Sequence, residues 1–274
     1  MPSLRDRFPP PAVMGVINVT PDSFSDGGEF LHPEIAVARG VALAAEGADL
    51  LDVGGESTRP GSDPVTAEVE LGRVLPVIRG LRRAVTDVPV SIDTSKADVA
   101  EQAIAAGASF VNDVTALRAD PRMAEVVAAA DVPVCLMHMR GTPKTMQDDP
   151  RYTDVVAEVA AFLAQRVHAA QEAGIAHDRI CVDPGIGFGK TGDHNLSLIR
   201  HLDAIAAAGP PVVVGVSRKR FLGAIIGDPD RDRAVATAAA NVEAVRRGAW
   251  MVRVHDVRQT RDALAIAQAV EAAP

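Results

Sequence analysis

Cysteine is scarce in this chain of 274 residues, and the scarcity excludes a small fold held together by disulfides. The two cysteines, Cys135 and Cys181, lie inside apolar runs and do not form a Cys-x-x-Cys motif. We therefore expect buried, reduced thiols, the usual state in the cytoplasm. Long apolar runs are missing too, so we expect no membrane span, and the N-terminus lacks the apolar core of a secretory signal.

Basic residues do not outnumber acidic ones: 28 lysines and arginines stand against 36 aspartates and glutamates, a net charge of −8. This balance gives no support to a nucleic-acid or membrane partner, which would require a basic surface. The motif G-x-S-x-G is absent, as is any cluster of His, Cys or carboxylates with metal-ligand spacing. Neither a serine nucleophile nor a structural metal is therefore indicated.

Eight short apolar runs, each ending in polar or charged residues, alternate along the chain with Ala-rich amphipathic stretches. The runs cover residues 13–18, 50–56, 90–93, 110–113, 134–138, 180–185, 212–219 and 251–256. Eight strand–helix units close into a (β/α)8 TIM barrel, so we predict one α/β domain over residues 12–274, after a flexible tail at 1–11. An open doubly wound sheet is the alternative, but it usually has fewer strands and a glycine-rich first turn that is missing here.

Glycines and long loops separate these units. Glycines follow several predicted helices, as expected of helix C-caps, at Gly47, Gly107, Gly174, Gly209 and Gly248.

The loops after strands one, two and five are long and rich in Gly, Pro, Ser and Asp, over residues 20–28, 57–64 and 139–150. Because such barrels carry their active sites on these loops, we expect the first two to be functional. The loop after strand five is either a lid over the site or a surface loop without a function.

Polar side chains at the ends of three predicted strands are the first candidates for a ligand site: Asp93, Asn112 and Asp183. A carboxylate there is costly to bury without a partner, and it matches a ligand with two parallel N–H groups, such as an aminopyrimidinone ring. Asp183 is our first choice, because glycines beside it leave room for a flat ring that Phe188 could contact. Structural alternatives stay open: Asp183 could cap its own turn, Asp93 the helix near Ser95, and either Asn112 or Asp113 could be structural.

Basic residues near the ends of strands two, seven and eight form a second group: Arg59, Arg218, Lys219, Arg220, Arg253 and His255. Strand eight of a closed barrel neighbours strands one and seven, so part of this group is expected to meet Asn18. Clustered cations on a net acidic chain point to an anion such as pyrophosphate, with Asn18 as an oxygen ligand of Mg²⁺. Surface salt bridging is the alternative, and it suits Arg220 better than Arg253, which lies between valines. We interpret His138 as a packed, hydrogen-bonded core histidine.

The segments that carry these residues resemble the dihydropteroate synthase family of pterin-binding barrels. They read MGVINVTPDSFSDGG, DVGGESTRPG, SIDTSK, VNDV, MHMRGTPKTMQ, DPGIGFGK, SRKRF and RVHDV, in the family's order over nearly the whole chain. The resemblance implies a transferase of folate biosynthesis that condenses 6-hydroxymethyl-7,8-dihydropterin pyrophosphate with p-aminobenzoate. It also implies Mg²⁺ as cofactor, a homodimer, and sulfonamides as competitors of p-aminobenzoate.

The resemblance further implies a role for individual residues. It assigns the pterin to Asp93, Asn112, Asp183, Phe188, Gly215 and Lys219. It assigns the pyrophosphate to Asn18, Thr58, Arg59, Arg253 and His255, with Asn18 also at the metal, and p-aminobenzoate to Phe24, Pro60, Ser217, Arg218 and Lys219. The catalytic candidates are Asp26, Lys219, Arg253 and His255. The implied mechanism is SN1-like: pyrophosphate departs, the cation is delocalised over the ring near Asp26, and the amine attacks while the loops exclude water.

Rival functions explain fewer of the same segments. A methyltetrahydrofolate-dependent methyltransferase barrel would share the deep Asp and Asn set but does not need TPDSFSDGG, ESTRPG or SRKRF. A catalytically silent pterin-binding paralogue would not need the intact polar set, and an isomerase with a barrel phosphate site leaves the two early loops unexplained. The chain departs from many family members at Thr115-Ala116-Leu117, where the bulkier Leu117 could reshape the edge of the site.

Overall fold

A closed barrel of eight parallel strands forms the centre of the computed structural model, which describes residues 3–20 and 32–274. The strands neighbour one another in chain order and run Ala12–Asn18 (β1), Leu50–Gly54 (β2), Val90–Asp93 (β3), Val111–Asp113 (β4), Val134–Met137 (β5), Ile180–Asp183 (β6), Val212–Val214 (β7) and Ala249–Val254 (β8). The predicted (β/α)8 barrel is confirmed. The predicted runs at 50–56 and 212–219 extend past their strands, because their last residues belong to the loops above the barrel.

Helices connect the strands and surround the barrel. In the described part of the chain they are Leu4–Arg7 (α1), Pro33–Ala45 (α2), Ala67–Ala84 (α3), Ala97–Ala105 (α4), Met123–Ala130 (α5), Val155–Glu172 (α6), Gly192–Arg200 (α7), Leu202–Ala206 (α8), Arg220–Ile225 (α9), Ala234–Arg246 (α10) and Val257–Glu271 (α11), with a 3-10 turn at His177–Arg179. None of these described helices is both long enough and apolar enough to cross a membrane.

The five glycines predicted to end helices all adopt the left-handed conformation. Their φ angles are positive, for example 98° at Gly47 and 103° at Gly248. A residue with a Cβ atom rarely adopts this conformation, so glycine is the favoured residue where the chain leaves a helix. This pattern of helix ends confirms the boundaries expected from the sequence.

Two apolar layers stabilise the barrel. The larger lies between strands and helices and includes Ile17, Leu51 and Ile78, whereas the smaller one includes Met14, Cys135 and Cys181. The strands are buried on both faces, which explains their nearly continuous apolar sequence. Cys135 and Cys181 are paired in register on β5 and β6 and are free, buried thiols, as predicted.

The N-terminal segment packs against the barrel, which differs from the flexible tail expected. Helix α1 has a capping box formed by Ser3 and Asp6. Leu4 and Phe8 are buried in the smaller apolar layer, and the Trp250 indole Nε1 donates to the Phe8 carbonyl at 2.7 Å. Two apolar side chains and one buried hydrogen bond therefore fix a segment whose charges and prolines suggested a tail.

Candidate active site

Arg253, near the end of β8, is held between two carboxylates in the mouth of the barrel. Its Nε donates to Asp52 Oδ2 at 2.6 Å, and its Nη2 donates to Asp93 Oδ2 at 2.6 Å. Burial disfavours the charged guanidinium, but Asp52 and Asp93 outweigh this effect, so the pKa of Arg253 is raised above its ordinary value. A permanent cation therefore lies among β2, β3 and β8, and the surface salt-bridge alternative does not apply to it.

Asp52, in the middle of β2, is a residue of this cluster that the sequence reasoning missed. Its side chain is fully buried, and its Oδ2 accepts from Arg253 and, at 3.0 Å, from Asn112 Nδ2. Its second oxygen, Oδ1, has no hydrogen-bond partner among the described residues. A signal was available in the sequence, because a charged residue inside an apolar run is the same feature that distinguished Arg253.

Asp93, the last residue of β3, belongs to the cluster and does not cap the helix that follows. The N–H group of Ala97, at the start of α4, donates instead to Asp120 Oδ2 at 2.9 Å. Burial raises the pKa of Asp93 to about 7, with Arg253 opposing the shift and Asp52 adding to it. Asp93 is therefore protonated more readily than an exposed aspartate, and its pairing with Arg253 favours the anion.

Asn112 and Asp113, neighbours at the end of β4, serve different purposes. Asn112 donates to Asp52 and so joins the cluster. Asp113 accepts from the N–H groups of Thr115 and Leu117, both at 2.8 Å, and so shapes its own loop. Leu117 is buried in the larger apolar layer, so its bulk is accommodated in the core.

Asp183 ends β6 and opens the strand-6 loop, residues 184–190. Its Oδ1 accepts from the Gly185 N–H group at 2.6 Å, so it does cap its own turn. Its Oδ2 faces Gly215, where an added Cβ would lie 3.9 Å from that oxygen and 3.9 Å from Arg253 Cβ. Burial raises the pKa of Asp183 to about 6, against the Gly185 hydrogen bond and the charge of Lys219. The capping role uses one lone pair of Oδ1, so Oδ2 and the second lone pair of Oδ1 can still accept hydrogen bonds from a ligand in the mouth.

Lys219 reaches the same region from the loop after β7. Its Nζ lies 4.0 Å from the centre of the Phe188 ring, which is a cation–π contact. Burial lowers the pKa of Lys219 to about 8, with Arg253 adding to the shift and Asp183 opposing it. Phe188, Lys219 and Asp183 therefore surround one side of the mouth.

Asn18, Ser217 and His255 form a second corner of the mouth. Asn18 Nδ2 lies 3.5 Å from His255 Nε2, and Ser217 Oγ lies 2.9 Å from His255 Nδ1. Burial, Arg253 and Arg218 together lower the pKa of His255 to about 3, so its imidazole is neutral at pH 7. An anion at this corner would receive at most one hydrogen bond from the His255 ring and no positive charge from it.

Arg218 is fixed at the rim by Asp256. Its Nε donates to Asp256 Oδ2 at 2.9 Å and its Nη2 donates to Oδ1 at 2.5 Å, which is a two-point pairing. Its φ of 56° is unusual for a residue with a Cβ, and its backbone N–H donates to Thr237 Oγ1 at 3.0 Å. The guanidinium is half exposed and held in one orientation.

The second loop is fastened at its base by Glu56. Its Oε2 accepts from the Val65 N–H group at 3.0 Å, beyond the loop, and from Lys96 Nζ at 2.5 Å. Lys96 also donates to the fully buried Glu70 at 2.6 Å. One carboxylate thus joins the two ends of the loop and links them to the loop after β3. The sequence reasoning did not single out Glu56, Glu70 or Lys96.

The structure brings only some predicted loop residues near the cluster. Thr58 lines a small cavity together with Asp93, whereas Arg59 and Pro60 are exposed on the second loop. Phe24 and Asp26 lie outside the described residues. Their assignments stay predictions.

The loop after β5, residues 139–150, forms hydrogen bonds with two neighbouring loops. The Gly61 N–H group donates to the Pro143 carbonyl at 3.0 Å, and Lys144 Nζ donates to Asp63 at 2.6 Å. Gln147 Nε2 donates to the Gly187 carbonyl at 2.6 Å. The loop therefore connects the second loop with the strand-6 loop.

Comparison with known proteins relates both sequence and fold to one family. A family model described as "Pterin binding enzyme" matches residues 14–255. The dihydropteroate synthase of Mycobacterium leprae (strain TN) is 48% identical over 264 residues, which cover 94% of this chain and 92% of that protein. The structure of Xanthomonas albilineans dihydropteroate synthase with 4-aminobenzoic acid is 52% identical, with a TM-score of 0.90 and coverage of 96% of this chain and 94% of that one. The structure from the same organism with 7,8-dihydropteroate is 49% identical, with a TM-score of 0.87 and coverage of 96% and 95%.

Proposed function

Because the chain belongs to the dihydropteroate synthases, within the pterin-binding enzyme family, we propose which residues of its barrel mouth carry each part of the reaction. That reaction joins 6-hydroxymethyl-7,8-dihydropterin pyrophosphate to p-aminobenzoate and yields 7,8-dihydropteroate and pyrophosphate. The observation that supports the proposed site is the polar cluster of Asp52, Asp93, Asn112, Asp183 and Arg253 in the barrel mouth, of which Asp52, Asn112 and Asp183 are buried. Barrels of this type place their active sites there.

The pterin ring is recognised by Asp183, Asn112 and Lys219. With a pKa of about 6, Asp183 is mostly ionised at pH 7, and a carboxylate accepts two parallel N–H bonds from an aminopyrimidinone edge. Gly215, which has no side chain, leaves a flat space beside Asp183, and the ring of Phe188 lines that space. When the bond to pyrophosphate breaks, positive charge develops on the ring, and the carboxylates of Asp93 and Asp183 offset that charge.

The departing pyrophosphate is bound by Asn18, Arg253 and His255, with Thr58 and Arg59 from the second loop. Arg253 keeps its charge at every physiological pH and supplies the largest electrostatic stabilisation. His255, being neutral, donates a hydrogen bond. These groups pull electron density toward the leaving group, so the bond breaks before the amine attacks.

Mg²⁺ fits this corner as an ion that arrives with the pyrophosphate. Asn18 offers an amide oxygen, the hard donor that Mg²⁺ prefers, and the described residues contain no group of three His, Cys, Asp or Glu side chains that could hold a resident metal. Asn18 would therefore hold an ion that keeps most of its waters. When bound, Mg²⁺ neutralises part of the pyrophosphate charge.

The amine substrate is placed on the Lys219 side of the mouth. Ser217, Arg218 and Lys219 present an hydroxyl and two cations that suit the carboxylate of p-aminobenzoate, and Pro60 and Phe24 are assigned to its ring. Asp26 of the first loop is assigned to the cation. Closure of the first two loops excludes water, which would otherwise consume the cation. Sulfonamides compete for the same position.

The test is product formation by the purified chain. Dihydropterin pyrophosphate and Mg²⁺ are supplied with and without p-aminobenzoate, and both pyrophosphate and dihydropteroate are measured. We expect dihydropteroate only when the amine is present, a lower rate with chelator, and a loss of at least about 100-fold in kcat/KM for Arg253→Met. Arg247→Met, which removes an exposed ion pair with Glu243, is the control. Binding of the pterin pyrophosphate without any product would instead identify a silent paralogue.

A homodimer in the cytoplasm is proposed as the working form. Large apolar side chains are exposed on α9, α10 and α11, including Ile225, Val235 and Ile266, and a second copy of the chain could cover them. Light scattering should give twice the chain mass of 28.7 kDa. A single-chain mass at micromolar concentration would contradict the dimer.

The free thiols of Cys135 and Cys181 support a reducing compartment such as the cytoplasm.

A further inference from the structure

Lys190, the last residue of the strand-6 loop, is a buried base for which the reaction described above has no use. Only 3% of its surface is exposed. Its Nζ lies 2.8 Å from His138 Nδ1, 2.9 Å from the Gly185 carbonyl oxygen and 3.0 Å from the Phe188 carbonyl oxygen. An ammonium group has three N–H donors, and these three acceptors use all of them.

His138 is arranged to accept one of these hydrogen bonds. Its ring is buried and packs edge-on against Phe162, with 4.8 Å between the ring centres. Burial and the charge of Lys190 lower the pKa of His138 to about 3, so the imidazole is neutral. Because a lysine ammonium cannot accept, we assign the ring proton to Nε2 and the lone pair to Nδ1. The buried, hydrogen-bonded histidine predicted from the sequence is therefore a partner of Lys190.

The two carbonyl groups bound by Lys190 belong to residues that shape the pterin side of the mouth. Gly185 donates its N–H to Asp183 Oδ1, and the Phe188 ring contacts Lys219 Nζ. The loop is also closely packed: Gly185 has a φ of 67°, and a Cβ there would lie 1.9 Å from the His138 carbonyl oxygen. A change at Lys190 is therefore transmitted to Asp183 and Phe188 through the backbone of one short loop.

Charge links Lys190 to Asp183 as well. Burial raises the pKa of Asp183, and the cations that oppose this shift are Lys219, Arg253 and Lys190. Burial lowers the pKa of Lys190 itself to about 7, with the charge of Asp183 opposing this shift and that of Lys219 adding to it. Loss of the Lys190 charge removes one of the three cations that favour the Asp183 anion.

We propose that Lys190 is a positioning residue of the pterin pocket: its ammonium group fixes the strand-6 loop and holds the Asp183 carboxylate in the orientation and the ionised state that bind the ring. Lys190 does not touch the ligand and acts through Asp183. The inference rests on the proposed function, because it requires Asp183 to bind the pterin.

The experiment measures the affinity for dihydropterin pyrophosphate by calorimetry between pH 5 and 7, a range at or below the Lys190 pKa of about 7, so that the native chain keeps at least half of this charge. Lys190→Met keeps the length of the side chain but removes its charge and its donors. Lys190→Gln restores donors without charge, and it replaces Lys190→Met if that variant does not fold. The matched control is Tyr152→Phe, because the Tyr152 hydroxyl donates to Gly189 of the same loop at 2.9 Å without contributing charge.

We expect Lys190→Met to weaken pterin binding about tenfold or more at pH 7 and to move the acid limb of binding upward by about half a pH unit or more. Removing a cation raises the pKa of Asp183, so the anion forms only at higher pH. Lys190→Gln should recover part of the affinity and keep the shifted limb, and Tyr152→Phe should lower only the thermal midpoint. An unmoved acid limb in both Lys190 variants overturns the proposal, whatever their stability. Asp183→Ala separates the two claims: if that variant still binds the pterin, the proposed function of Asp183 fails, not the role of Lys190 alone.

Discussion

Replacing Asp52 with asparagine would isolate what the second carboxylate does for Arg253. The substitution keeps the size of the side chain and leaves an oxygen that can still accept from Arg253 Nε and Asn112 Nδ2. It removes the charge of a fully buried group whose Oδ1 has no partner among the described residues. An amide nitrogen at the Oδ1 position would be a buried donor without an acceptor.

The magnitude follows from one weakened hydrogen bond and one unpaired donor. The bond from Asn112 becomes a neutral one and loses roughly 1 kcal/mol, since a bond to a charged group contributes about 1.5–3 kcal/mol and a neutral one about 0.5–1.5 kcal/mol. The unpaired amide N–H group costs about 1 kcal/mol or more. Arg253 still pairs with Asp93, so the loss stays below the roughly 3–5 kcal/mol expected when a buried charge is left alone. We predict a free energy of unfolding lower by about 2 kcal/mol and, for a chain of 274 residues, a thermal midpoint lower by roughly 3–4 °C.

The pH profile supplies a second readout of the same variant. Asp52 is one of the charges that raise the pKa of Asp93 to about 7, so Asp52→Asn should lower that pKa and move the acid limb of kcat/KM to lower pH. Scanning calorimetry and steady-state rates between pH 5 and 8 measure both effects. Glu243→Gln, which breaks an exposed pair with Arg247, should change the midpoint by less than about 1 °C. A midpoint within 1 °C of the native value together with an unmoved limb would mean that the Asp52 charge neither stabilises the cluster nor raises the pKa of Asp93.

Three further predictions concern the frame around the site. Gly185→Ala should lower the free energy of unfolding by at least about 2 kcal/mol, because its φ is 67° and the new Cβ would clash with the His138 carbonyl, whereas Gly192→Ala, with open space around it, should be neutral or stabilising in chemical denaturation. Phe8→Ala should cost about 3–5 kcal/mol in the same assay, with the exposed Arg5→Ala as control, and a loss under 1 kcal/mol would mean that the N-terminal segment is not docked. In the native chain, burial lowers the pKa of His255 to about 3, so between pH 6.5 and 3 only the unfolded chain takes up this proton and the free energy of unfolding falls as the pH drops. In His255→Gln, the free energy of unfolding should therefore fall less steeply over this range. Equal slopes in the native chain and the variant would contradict a neutral, buried imidazole.

The sequence carried most of the barrel and part of the site. Alternating apolar runs and amphipathic stretches predicted all eight strands. The prediction succeeds because parallel strands that are buried on both faces consist almost entirely of apolar residues. Because the ends of parallel strands meet at one end of a barrel, Asp93, Asn112 and Asp183 were predicted to lie there together. Asp52 was predictable in the same way, since it interrupts the apolar run of β2 as Arg253 interrupts that of β8.

Other features depend on contacts that no local pattern displays. Lys190 binds backbone carbonyl groups, which every residue has, so nothing in DPGIGFGK distinguishes it from a surface lysine. Phe8 is buried because a gap beside Trp250 accommodates it, and that gap exists only after the barrel closes. Glu56 and Lys96 are 40 positions apart and meet only because β2 and β3 are neighbours.

Calorimetric binding of dihydropterin pyrophosphate to the native chain and to Asp183→Ala measures whether the Asp183 carboxylate recognises the pterin ring. Two charge-assisted hydrogen bonds, at about 1.5–3 kcal/mol each, predict an affinity at least about 100-fold weaker in the variant. Asp178→Ala, an exposed aspartate in the 3-10 turn before β6, should bind as the native chain does. An Asp183→Ala variant that folds and binds the pterin within threefold of the native affinity would show that Asp183 does not recognise the ring.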